Sequence, residues 1–172
     1  ENIVYFGDTA RVPYGAKSKD VVTKYSKQIV RFLMTKNVKA IIIACNTVSS
    51  NSLDELKKAF DIPFVGVVEP GVRSVIDTTK NKKVGIIGTE ATVRSGMYTK
   101  LIHKADNSIE VFSKPCPLFV PLAEEGWYDN NVARLTAEIY LNELIGCGID
   151  TLLLGCTHYP LLKQCIGETI GE

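Results

Sequence analysis

Short apolar runs alternate along the chain with longer amphipathic stretches, and turn residues separate them. ENIVYFGD carries an apolar run from Ile3 to Phe6 and stops at Gly7 and Asp8, the pattern of a strand. TARVPYGAKS, with Pro13 and Gly15, reads as an irregular loop at the end of that strand. Ser18 is placed to cap a helix over about Lys19 to Lys36, in which Val22, Tyr25, Ile29, Phe32 and Leu33 recur at helical spacing. VKAIIIAC is near-continuously apolar, as expected of a parallel strand covered on both faces. Asn46, Thr47, Ser49 and Ser50 then supply caps for a helix through about Phe60.

FVGVV reads as a further buried strand, Glu69, Pro70 and Gly71 as a break, and Val72 to Thr79 as a helix. KVGIIGT repeats the strand pattern, with a helix starting at Thr89 or Ala91. In IEVFSKPCPLFVPLAEEGW, Pro115, Pro117 and Pro121 argue against a regular helix or a central strand. A helix over Asn131 to Ile145 counts Val132, Leu135, Ile139, Leu141 and Leu144 among its apolar positions, and Gly146 and Gly148 end it. IDTLLLGCTHYP is the last strong strand, and the tail is helical up to Gly167. Strands separated by helices give right-handed crossovers and parallel sheets. The fold class is therefore α/β: two similar lobes, each a mostly parallel sheet flanked by helices, with the change near Glu69 to Gly71. That places residues 1–69 in a first lobe and 70–172 in a second, the last helix being free to return to the first.

Two stretches echo each other, IIIACNT ending at Asn46 and Thr47, and LLLGCTH ending at Thr157 and His158. In each, an apolar strand runs into a small residue, a cysteine, and two side chains able to hydrogen-bond. One such cysteine would ordinarily be a small packed hydrophobe. Two in matching contexts call for a shared role, and ligands of parallel α/β sheets bind beyond the C-terminal ends of strands. Two facing lobes would thus bring Cys45 and Cys156 to opposite sides of one cleft. Nearby backbone N–H groups would favour the thiolate and lower each thiol toward neutrality. Asn46, Thr47, Thr157 and His158 could donate to a ligand carboxylate, and His158, two residues from Cys156, could exchange a proton with it.

The remaining composition narrows the chemistry. At 172 residues, 45% hydrophobic and 23% charged, the chain has the balance of a soluble globular protein. Twenty basic against 19 acidic residues leave no footprint for nucleic acid and no polybasic membrane face. Five widely spaced cysteines (45, 116, 147, 156 and 165) suit a reducing cytoplasm better than a disulfide framework, and their spacing offers no metal knuckle. Gly85, Gly88 and Gly96 do not fall at the spacing of a dinucleotide fingerprint. Disulfide exchange would favour a Cys-x-x-Cys turn, which is absent, and a thiol protease would leave one cysteine idle. Proton transfer to and from carbon uses both, one thiolate removing a proton and the other thiol returning one to the opposite face. That chemistry is racemisation or epimerisation with no cofactor and no metal.

YFGDTARVPYG, ACNT, KPCPLFVPLAEEG and LLLGCTHYPLL together resemble the glutamate racemase family, which makes D-glutamate for bacterial peptidoglycan in the cytoplasm. The resemblance implies that Cys45 and Cys156 are the acid–base thiols. It implies that glutamate is held by the Tyr14–Gly15 region, Asn46, Thr47, Thr157 and His158, and that a glutamate of the EEG block, Glu124 in preference to Glu125, pairs with His158 behind Cys156. The implied partner is the small-molecule substrate alone, with a homodimer allowed. Aspartate or hydantoin racemases, or a folded piece that binds ligand without turnover, are the alternatives. Compared with the family, the chain lacks an opening strand ending in Asp-Ser-Gly and a C-terminal segment, so the half of the site around Cys45 is expected to be the impaired one.

Overall fold

A computed structural model describes residues 2–171 as an α/β structure with two separate parallel sheets. The first pairs β1 (Ile41–Ile43) with β2 (Phe64–Gly66), Ile41 opposite Phe64. Helices α1 (Lys19–Met34), α2 (Asn46–Asn51) and α3 (Leu53–Ala59) complete this part. Its core gathers Val22 and Val30 of α1, Ile41 and Ile43 of β1, Val48, Leu56 and Phe64. Ser18 caps α1 as the sequence predicts, accepting a hydrogen bond from the Val21 N–H.

Three expectations for this part need correction. Residues 2–7 carry no regular secondary structure and pair with no strand among the described residues, and Ile3 and Tyr5 are each 89% exposed. A strand pattern fixes side-chain alternation, but only a neighbouring strand can take up its backbone groups. Ile42 is 73% exposed, so β1 is covered on one face rather than two. The helix through Phe60 is interrupted at Ser52, which leaves the helical region between α2 and α3.

The second sheet has order β4 (Glu110–Pro115), β3 (Lys83–Gly88), β5 (Thr151–Gly155), all parallel. The central strand is buried on both faces because its side chains alternate. Val84 and Ile86 meet Val68, Val72, Val75, Tyr98 and Ile102 from α4 (Val68–Thr78) and α6 (Met97–Ala105). Ile87 points the other way, into a core with Phe119, Ala133, Ala137, Leu141 and Tyr159. That second face is built by α7 (Phe119–Glu124), α8 (Asn131–Gly146), a 3-10 turn (Tyr159–Leu162) and α9 (Lys163–Ile170). The last helix packs on α8, against the core of the second sheet. Helix α5 (Glu90–Arg94) follows β3 directly, capped by Thr89.

Proline explains two departures from the pattern. Glu69 to Gly71 are not a break: α4 begins at Val68, and Pro70 sits in its first turn, where no intrahelical N–H is required. Likewise Pro115 ends an edge strand, and Pro121 lies in the first turn of α7. In α8 the buried side is made of Ala133, Thr136, Ala137, Leu141 and Leu144, whereas Val132, Leu135 and Ile139 are exposed. Small residues let α8 lie close to the sheet, and the larger apolar residues are left outside. Among the described residues no helix is long and apolar enough to cross a membrane.

Candidate active site

The C-terminal ends of β1, β3 and β5 open onto one cavity of about 790 Å³, which also extends along the uncovered face of β1 past Ile29, Leu33 and Ile42. Cys45, Asn46 and Thr47 line it after β1, Thr89 after β3, and Cys156, Thr157 and His158 after β5. Tyr14, Gly15, Glu124 and Glu125 also reach it. Every residue singled out in the sequence as a site candidate therefore lies on this wall. No lysine or arginine does, among the described residues.

Cys45 occupies the N-cap of α2 in an extended conformation, which turns its side chain toward the first N–H groups of that helix. Asn46 and Thr47 follow and are nearly inaccessible outside the cavity. The Thr47 hydroxyl lies 2.9 Å from that of Thr89, which in turn donates to Thr92 across 3.0 Å. Asn51 donates to the Ala91 carbonyl over 3.1 Å. These contacts tie the floor of the cavity from α2 across to α5. The sequence pattern starts a helix at Thr89 or Ala91; the position of Thr89 at the end of a third strand, like that of the cysteines, is the signal that it also faces the cavity.

Behind Cys156 stands an aligned chain of groups. Its Sγ is 3.6 Å from His158 Nδ1, and His158 Nε2 is 2.6 Å from Glu124 Oε1. A carboxylate only accepts, so Nε2 carries the proton, and in the neutral ring Nδ1 is then the acceptor facing the thiol. The ring can take the proton of Cys156 on that nitrogen, and Glu124 stabilises the cation so formed. Glu124 makes this contact, while Glu125 closes the end of α7. Among the described residues no similar chain backs Cys45, which instead meets the Val48 and Thr47 N–H groups and the Thr47 hydroxyl.

Tyr14 and Gly15 reach the wall on the loop that precedes α1. The Tyr14 hydroxyl and Arg11 Nε both donate to Asp8, the latter over 2.9 Å, and Arg11 also stacks on Tyr25 of α1. Burial would raise the Asp8 carboxyl, but these hydrogen bonds outweigh it and hold it below its ordinary value. Gly15 accepts from the Ala91 N–H and has no room for a side chain: a Cβ there would lie 2.4 Å from Thr89 Cβ. Gly15→Ala is expected to cost about 1–3 kcal/mol by overpacking, seen as a thermal midpoint lower by several degrees. An unchanged midpoint would mean that the loop is not seated on Thr89.

The thiols differ from the sequence expectation in one respect. Burial pushes Cys156 up to about 11, and also raises Cys45, although N–H groups of His158 and Tyr159, and of Val48 and Thr47, favour the thiolates. Each thiol's charge would further disfavour the other's, since Cys45 acts on Cys156 across the cavity. Short-range N–H donors are legible in a sequence, whereas desolvation is a property of the assembled fold. With no lysine or arginine on the wall among the described residues, the N–H groups alone offset it only in part.

The family model described as "Asp/Glu/Hydantoin racemase" matches residues 2–171. A glutamate racemase of Geobacter metallireducens is 56% identical over 172 residues, which is 100% of this chain and 64% of that protein. One from Sulfurihydrogenibium sp. is 54% identical, over 96% of this chain and 64% of that protein. The chain thus spans about 64% of the length of these curated relatives. Among solved structures, glutamate racemase from Francisella tularensis in complex with D-glutamate superposes with a TM-score of 0.92 at 44% identity, covering 98% of this chain and 64% of that one.

Proposed function

The chain belongs to the Asp/Glu/Hydantoin racemase family, and we propose that it interconverts L- and D-glutamate by passing the α-proton between two thiols, without a cofactor. The observation that carries this reading is the placement of Cys45 and Cys156 on one cavity, from two different sheets, with His158 and Glu124 aligned behind one of them. A thiolate on one side removes the α-proton, its electron pair stays on carbon, and the thiol on the other side delivers a proton to the opposite face. The first cysteine ends protonated and the second ionised, so the reverse reaction starts from the state the forward one leaves. Neutral donors, Asn46, Thr47 and Thr157, hold the substrate carboxylates, with the Tyr14–Gly15 loop beside them. Glutamate is preferred over aspartate or hydantoins because the relatives of high identity are glutamate racemases and one carries D-glutamate.

The two thiols are assigned to two lobes divided close to residue 69. D-Glutamate made in this way supplies peptidoglycan synthesis in the cytoplasm, and the reaction needs neither a nucleic acid nor a membrane. Circular dichroism of L-glutamate incubated with the protein should decay to zero as the racemate forms, while L-aspartate is turned over far more slowly. Faster loss of the aspartate signal would reassign the substrate within the family, and a constant signal for both would refute racemisation.

A pH profile follows from the raised thiols. Buried thiolates are stronger bases toward a weakly acidic C–H bond, but a smaller fraction is ionised near neutrality. One thiol must be ionised and the other protonated, so kcat/KM should be bell-shaped. Since both thiols titrate above their ordinary value of 9.0, its maximum should lie on the alkaline side of neutrality. A profile that rises without a descending limb would contradict a role for two thiols.

A further inference from the structure

Among the described residues one side-chain hydrogen bond joins Asn46 to the elements of the second sheet. Tyr98, on α6, is 5% exposed and packed among Val68, Val72 and Leu153. Its hydroxyl donates to Asn46 Oδ1 at 2.5 Å and makes no other hydrogen bond among the described residues. A buried phenol proton needs an acceptor, and here only Oδ1 is available. Burial pushes the Tyr98 hydroxyl up to about 12, so it remains a donor over the whole working range.

This fixes which end of the amide faces the substrate. If the Asn46 amide turned over, Nδ2 would point at the phenol and the phenol proton would be left unpaired in the core, which is unfavourable. Asn46 Nδ2 meets no protein acceptor among the described residues, and no side-chain nitrogen or oxygen there is both fully buried and unpartnered. Nδ2 is therefore open to the cavity that Asn46 lines. We propose that Tyr98 is a positioning residue for substrate recognition: by donating to Asn46 Oδ1 it holds Nδ2 toward the cavity, as a donor to a carboxylate oxygen of the amino-acid substrate. The proposal rests on the racemase reading for the identity of that substrate, but not for the orientation of the amide.

The contact also crosses between the two sheets, joining the residue after Cys45 to a helix packed on β3 and β5. Tyr98 thus sets the donor from the opposite side of the cleft, beneath the floor and out of reach of the substrate.

Tyr98→Phe keeps the ring and its packing and removes only the hydroxyl. The expected result is a KM for glutamate raised roughly 10- to 150-fold, the range of one hydrogen bond to a charged group, with kcat changed less than about threefold. In an Asn46→Ala background the same substitution should leave KM unchanged. The second readout is the Asn46 side-chain NH2 signal in a nitrogen–proton NMR spectrum, assigned by its loss in Asn46→Asp. It should shift in Tyr98→Phe without addition of glutamate. An unchanged KM, an effect on KM that persists in Asn46→Ala, or an unshifted NH2 signal would each overturn the proposal. If the unsubstituted protein does not turn over glutamate, the substrate assignment fails, and the NH2 signal alone decides whether Tyr98 orients Asn46.

Discussion

Cys156→Ala is expected to lower the rate of glutamate racemisation by roughly 10²- to 10⁴-fold, the contribution of one positioned acid–base group. Cys45→Ala should do the same, because in the proposed reaction each turnover uses both thiols, one as base and one as acid. The loss should fall on kcat, since neither sulfur is needed to hold the carboxylates. Each single variant retains one thiol able to remove a proton from the face it addresses, so each should still exchange the α-proton of one enantiomer with solvent without inverting it. The two variants should select opposite enantiomers. Neither substitution threatens the fold by volume, since alanine leaves the strand ends and the N-cap geometry of Cys45 intact. If both variants exchanged the same enantiomer, the thiols would not lie on opposite faces of the substrate. If either racemised at the unsubstituted rate, its cysteine would have no part in the proton transfer.

The second large effect concerns the relay behind Cys156. His158→Asn is expected to reduce kcat/KM by on the order of 10- to 100-fold, less than loss of a thiol, because the ring assists a proton transfer that the sulfur performs. Glu124→Gln should cost less again, since it leaves the imidazole in place but removes the charge that stabilises its protonated form. The two should not add: with His158 gone, Glu124 has nothing to orient, so the double variant should match His158→Asn alone. The enantiomers are equal in free energy, so kcat/KM must fall equally in both directions. The asymmetry of the relay should appear instead in solvent exchange, which slows for the enantiomer that Cys156 deprotonates and not for the other. An additive double variant would separate Glu124 from the proton path.

The chemistry at the two strand ends was legible because it is local. An apolar run that empties into cysteine and two hydrogen-bonding residues already states where the strand stops and what faces outward, as at Cys45–Asn46–Thr47 and Cys156–Thr157–His158. What could not be read depends on partners distant in sequence. The hydrogen bond from Tyr98 to Asn46 spans 52 positions and leaves no periodic trace. The sign of the thiol shifts is set by how much protein surrounds each sulfur, and N–H donors visible in the sequence point the other way. The exposed Ile42 misled for a similar reason: an apolar triplet cannot reveal that one face of its sheet is left uncovered. Pro70 read as a break because proline stops helices from within, although the first turn accepts it.

The two cysteines with which the site begins also differ more than their matching sequences suggest. Cys156 has an imidazole and a carboxylate in line, while Cys45 has the N–H groups of a helix start and the Thr47 hydroxyl. The proposed proton transfer, symmetric in its two directions, would thus run through an asymmetric pair.

The most direct measurement is the stereochemical course of deuterium uptake from L-glutamate in heavy water, followed at early times by proton NMR after the enantiomers are separated. Two thiols on opposite faces predict that the D-glutamate formed carries deuterium at the α-carbon while the recovered L-glutamate remains unlabelled. D-Glutamate that retained the original α-proton would contradict transfer between two sulfurs, because the same group would then have removed and returned it.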